Sequence, residues 1–160
     1  LAGSENLSAE VERLQPDVIL IDTDSPTRDT LENLAAMYKD MPRPVVIFTQ
    51  EDGQSTIRDA VRAGVSAYVV DGLDPKRIKP IVEVARAQFD ESQALRRELD
   101  DLSRKLSDRK LVDKAKGVLM KARGLDEDAA YHAMRKLAME RGQTLAKVAR
   151  DVIDMARVLL

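Results

Sequence analysis

Asp17-Val-Ile-Leu-Ile-Asp22, Pro44-Val-Val-Ile-Phe-Thr49 and Ala67-Tyr-Val-Val70 are three short apolar runs rich in β-branched residues. Runs of this kind fit strands buried on both faces. Between the first two, Leu31, Leu34, Ala35 and Tyr38 recur at helical steps over residues 29–38. Between the last two, Ile57, Ala60 and Val61 do the same over residues 56–63, and Gly64 stands where a helix C-cap glycine belongs. Residues 8–14 predict a further helix leading into the first strand. Strand and helix in alternation imply a parallel sheet with right-handed crossovers.

Working outward, the periodicity changes at about Asp74. Ile78, Ile81, Ala85, Gln88, Ser92, Leu95, Leu99, Leu102 and Leu106 follow alternating steps of three and four. This is a heptad seam, strongest from Leu95 to Leu106 and flanked by charge. So polar a helix has little to pack on alone, and pairing with a second copy predicts a homodimer through Leu95, Leu99, Leu102 and Leu106. The plainer alternative is a solvated connector helix.

Three helices are predicted in the last segment. Leu111, Ala115, Val118, Leu119 and Ala122 form one apolar stripe, ended by Gly124. Asp126, Glu127 and Asp128 suit the positive end of the next helix, whose core face is Ala130, Ala133, Met134, Leu137 and Ala138. Gly142 breaks it and Thr144 is the N-cap of the last helix, which buries Leu145, Val148, Ala149, Val152, Ile153, Ala156 and Leu160. The domain boundaries read as 1–75 for the α/β part, 76–108 for the coiled coil and 109–160 for an all-α three-helix bundle.

Composition narrows the function. The chain has no Cys and a single His, so neither a thiolate nor a His-cluster metal site is expected. No nucleophile–base pair or phosphate-binding glycine loop is apparent, so neither catalytic residues nor a cofactor are expected. No apolar run approaches the ~20 residues that span a membrane, and a cysteine-free chain without a signal segment suits the cytoplasm. The net charge of −2 is unevenly spread: from Arg109 onward there are 12 basic and 7 acidic residues. A basic tail on an acidic body points to a polyanion partner.

Asp22, Thr49 and Asp71-Gly72 all fall at carboxyl ends of parallel strands, the edge where ligands bind in such sheets. The arrangement resembles a response-regulator receiver domain, a flavodoxin-like fold. The resemblance implies a phosphoacceptor position at Asp22 and a phosphate-sensing position at Thr49. It also implies a Lys-Pro pair where Asp71-Gly72 stands. An acid in place of that Lys repels an aspartyl phosphate, so Asp22, Thr49 and Asp71 are expected to be a degenerate site serving as a docking surface. The two acids that would hold Mg²⁺ on the first strand of that fold are also missing, and the chain opens with Leu1. The receiver is therefore expected to be N-terminally incomplete as given, its first strand and helix lying upstream.

Ala115-Lys116-Gly117, Leu119-Met120, Ala130-Tyr131, Arg135, Ala138-Met139, Leu145 and Val148-Ala149 stand in an order and spacing that resemble the ANTAR domain of transcription antitermination regulators. Phrases of the α/β part are similar to the NasT-type branch of that family. The resemblance implies RNA binding, to paired hairpins in leader mRNA of a nitrate or nitrite assimilation operon, preventing terminator formation. It also implies control by a nitrate-sensor protein of the NasS type.

Residue by residue, the candidate RNA contacts are cationic. Lys110, Lys114 and Lys121 share one helix face with Gly117, opposite the apolar stripe, and Lys116 and Arg123 flank it. Arg135, Lys136 and Arg141 belong to the middle helix and Lys147 to the last. Such a surface grips phosphates through charge and counterion release. Tyr131 is a candidate for stacking on an unpaired base. A solvated helix face is the plainer reading of any single Lys, and partial core burial that of Tyr131. Competing functions are a DNA-binding response regulator and a non-catalytic interaction scaffold.

Overall fold

The computed structural model describes residues 6–159. In chain order the elements are α1 (Leu7–Leu14), β1 (Ile19–Asp22), α2 (Arg28–Asp40), β2 (Val45–Thr49), α3 (Gln54–Arg62), β3 (Ala67–Val70), α4 (Pro75–Arg123), α5 (Glu127–Arg141) and α6 (Leu145–Leu159). They form two compact units, divided between Leu95 and Arg96 within α4.

In the first unit the sheet is parallel in the order β1-β2-β3, with Ile19 opposite Val45 and Val46 opposite Ala67. Right-handed crossovers that step in one direction place α2 and α3 on the same face. There Leu31, Leu34, Met37, Ala60 and Ala63 pack with Val11 of α1 against Val45 and Ile47. Strand alternation turns Val46 and Phe48 to the other face, where Ala85, Ile78 and Ile81 of α4 cover them. Full burial is confined to β2, every residue of which is inaccessible. β1 and β3 are only partly buried, contrary to the two-face burial their apolar runs suggest: among the described residues they are sheet edges, and Leu20 is 44% exposed.

Two local devices hold this unit's geometry. Gly64 follows α3 with φ +94°, and a β-carbon there would stand 2.5 Å from the Tyr38 ring, so both backbone sign and space demand glycine. The Arg43 guanidinium donates to the Pro16 carbonyl at 2.8 Å, the Pro42 carbonyl at 3.0 Å and the Gln15 side chain at 2.8 Å, tying the entry of β1 to that of β2.

α4 runs unbroken for 49 residues. Its first turns do not belong to a free heptad seam: Ile78, Ile81 and Ala85 are consumed by the sheet of their own chain. Further along, Leu95, Leu99, Leu102 and Leu106 are each more than half exposed. The end of α4 serves as the first helix of the terminal bundle, so coiled-coil stalk and bundle helix are one element. Leu111, Ala115 and Leu119 pack there with Met134, Ala138, Val148, Ala149 and Ile153. Asp126 caps α5, accepting from the Ala129 amide at 2.7 Å, and Thr144 caps α6, accepting from the Lys147 amide at 3.2 Å. Ala122 and Ala133, expected in the core, are exposed. They line an open apolar groove with Val118, Val152, Met155 and Leu159. Leu160 lies outside the described residues.

Candidate nucleic-acid interface

The carboxyl edge of the sheet brings Asp22, Thr49 and Asp71 to the ends of three adjacent strands. Asp22 and Asp71 are exposed there, and Thr49 locks a loop. Thr49 is 1% exposed; its hydroxyl donates to the Asp24 carbonyl at 2.8 Å and accepts from the Glu51 amide at 3.1 Å. Its single proton is therefore committed to the backbone of the β1–α2 loop. The Tyr68 hydroxyl donates to the Glu51 carbonyl at 2.8 Å. Burial pushes the Tyr68 phenol above its usual range against a smaller pull from Thr49, and the Glu51 and Asp52 carboxylates add to the rise. Asp71 and Gly72 both have positive φ, 77° and 74°. Asp and Gly are the residue types that tolerate this conformation, so the pair builds a tight turn that sequence reading took only for a lost Lys-Pro. Among the described residues no three acids or histidines converge on a potential metal site.

The second candidate surface lies in the terminal unit. Lys110, Lys114 and Lys121 are exposed on α4, as are Arg123 at its end and Arg135 and Arg141 on α5. Lys110, Lys114, Lys121, Arg135 and Arg141 form no ion pair among the described residues, so their charge is available to a polyanion. Two other predicted contacts are exposed but partly engaged: Lys136 with Glu140 at 3.9 Å, and Lys147 with Asp151. Tyr131 is half-buried, its ring 6.0 Å from that of His132 in an edge-on arrangement.

Lys116 departs from the set. Its ammonium bonds Glu127 at 2.8 Å and Asp113 at 3.0 Å, and its side chain is only 15% exposed. Glu127 and then Asp113 raise its pKa above the ordinary lysine range. Lys116 thus straps α4 to the first turn of α5, a link sequence spacing alone could not reveal because Glu127 is eleven residues away.

Known proteins give this geometry its context. Residues 100–153 match the ANTAR domain. The transcriptional regulatory protein PdtaR of Mycobacterium tuberculosis is 31% identical over 154 residues, covering 96% of this chain and 75% of that protein. A nitrate regulatory protein of Klebsiella oxytoca is 39% identical over 85 residues, 53% of this chain and 22% of that one. An aliphatic amidase regulator of Pseudomonas aeruginosa is 22% identical over 123 residues, 76% of this chain and 63% of the relative. A receiver-like α/β unit carried ahead of an exposed-cation helical bundle defines a regulator that acts on nucleic acid. The chain belongs to the ANTAR-domain family of RNA-binding transcription antitermination regulators. Among the described residues no helix is long and apolar enough to cross a membrane.

Proposed function

We propose that this protein binds paired hairpins in a leader transcript through the terminal bundle and so prevents terminator formation. The observation that carries the reading is the set of exposed cations without ion-pair partners among the described residues: Lys110, Lys114 and Lys121 on α4, Arg135 and Arg141 on α5, all inside the segment matching the ANTAR domain. Lys136, Lys147 and Arg123 are further exposed cations in this reading, and Tyr131 is the stacking residue for an unpaired base. The bare leucines of α4 make the chain a homodimer through a coiled coil. Two bundles on one stalk meet two hairpins, and avidity then raises affinity without new contacts.

The target operon in this reading serves nitrate or nitrite assimilation, and the likeness to the Klebsiella nitrate regulatory protein supports that choice. Control is by release from a nitrate-sensor partner of the NasS type rather than by phosphorylation, because the Thr49 proton is already committed and Asp71 offers no cation. The compartment is the cytoplasm, where leader transcripts are made. The test is titration of a two-hairpin leader RNA and of duplex DNA with wild type and with Lys114→Ala, Lys121→Ala and Arg135→Ala. Preferential RNA binding, weakened by each substitution, is expected; equal binding of duplex DNA and RNA overturns the reading.

A further inference from the structure

Gly117 sits inside α4, six residues short of its end. After proline, glycine is the least favourable residue for a helix interior. Such a glycine usually makes room for a neighbouring element, yet a β-carbon built on Gly117 meets nothing within 4 Å. Its φ is not among the positive values of the chain, so no backbone conformation demands it either. Nothing within the described chain uses the missing side chain.

The residues around it say what could. Lys110, Lys114, Gly117 and Lys121 follow steps of four, three and four, which stack them on one helix face. The three lysines are exposed and have no ion-pair partner among the described residues. The result is a bare patch of helix backbone bracketed by cations one turn to either side. A phosphate–sugar strand drawn in by those charges could approach the helix backbone at Gly117 more closely than any side chain would allow. This is the same physical use that glycine has where backbone meets a phosphate ligand closely. We infer that Gly117 is a contact point for the RNA backbone, with Lys114 and Lys121 clamping phosphates on either side. The inference rests on the RNA-binding reading given above.

Gly117→Ala provides a test with opposite signs. Alanine meets no neighbour and favours the helix, so the melting temperature of the variant should equal or exceed that of wild type. RNA affinity should fall at least about tenfold, a loss of ~1.4 kcal/mol, and Gly117→Val should fall further. The probe is a two-hairpin RNA enriched from a loop-randomised pool on the wild-type chain. If no RNA is enriched, the RNA-binding reading fails and this inference with it. If wild type binds and Lys114→Ala weakens binding while Gly117→Ala binds equally well, this inference alone is overturned. A change in dimerisation with unchanged RNA affinity per dimer also overturns it, by assigning the bare patch to a second copy of the chain.

Discussion

The Thr49 hydroxyl donates to the Asp24 backbone carbonyl at 2.8 Å, pinning the end of the central strand to the loop that follows β1. To bind a phosphoryl group on Asp22 it would first have to abandon a partly buried hydrogen bond, and position 71 holds an acid rather than a lysine to offset the loss. Treatment with an acyl-phosphate donor should therefore leave RNA affinity unchanged, and Asp22→Asn should behave as wild type. A donor-dependent change in affinity abolished by Asp22→Asn would sink the case for a degenerate site.

Gly64→Ala places a methyl 2.5 Å from the Tyr38 ring at a φ of +94°. Backbone strain and overpacking together should cost about 2–4 kcal/mol. Urea denaturation should show the midpoint falling with little change in slope. A midpoint within error of wild type would mean that α2 yields freely at Tyr38.

Leu99 and Leu102 are 67% and 57% exposed on the proposed seam. Leu99→Asp with Leu102→Asp should convert a dimer to a monomer in sedimentation. Affinity for linked hairpins should then drop toward that for one hairpin, a loss of ~10²–10⁴-fold where avidity operates. A wild-type chain that sediments as a monomer would remove the seam from the mechanism.

Lys116 and Lys114 should respond differently although both are basic and two residues apart. Lys114→Ala should lower the slope of log affinity against log salt by about 1, as expected for one lost phosphate contact. Lys116→Ala should leave that slope intact and instead lower the stability of the terminal unit, since its partners are Glu127 and Asp113. Equal loss of slope in both variants would make Lys116 an RNA contact after all.

Alkaline pH should weaken the first unit through Tyr68. Its folded pKa is raised above the unfolded value by burial first and nearby carboxylates after. The folded state thus holds the proton more tightly, so this stabilisation is complete below the unfolded tyrosine range and is lost as pH rises through the folded pKa. Tyr68→Phe should flatten that alkaline decline while losing about 1 kcal/mol at neutral pH from the missing bond to Glu51. Stability against pH, followed by denaturant titration, reads both effects; an unchanged alkaline limb would assign the decline elsewhere.

Periodicity made the elements legible. The three apolar runs became β1 to β3, and the spacing of Leu31, Leu34 and Ala60 marked the helix faces on the sheet. Local chemistry made most helix ends legible too, because Asp126, Gly142 and Thr144 act within one turn of themselves. One misreading has a plain cause. Ile78, Ile81 and Ala85 carry the same spacing as Leu95 to Leu106, and periodicity does not say whether a stripe meets its own chain or another. The boundary expected at 109 falls inside the continuous helix α4.

The amino-acid sequence alone determined the parallel α/β unit, the long polar helix and the cationic terminal bundle, because side-chain period, capping chemistry and charge are local properties of the chain. Only the tertiary structure decided which lysines lack ion pairs among the described residues, that Thr49 is locked to Asp24, and that no described residue fills the space above Gly117. Those facts depend on what lies across from each residue. That neighbour is supplied by a distant segment brought close through packing, as Glu127 is to Lys116.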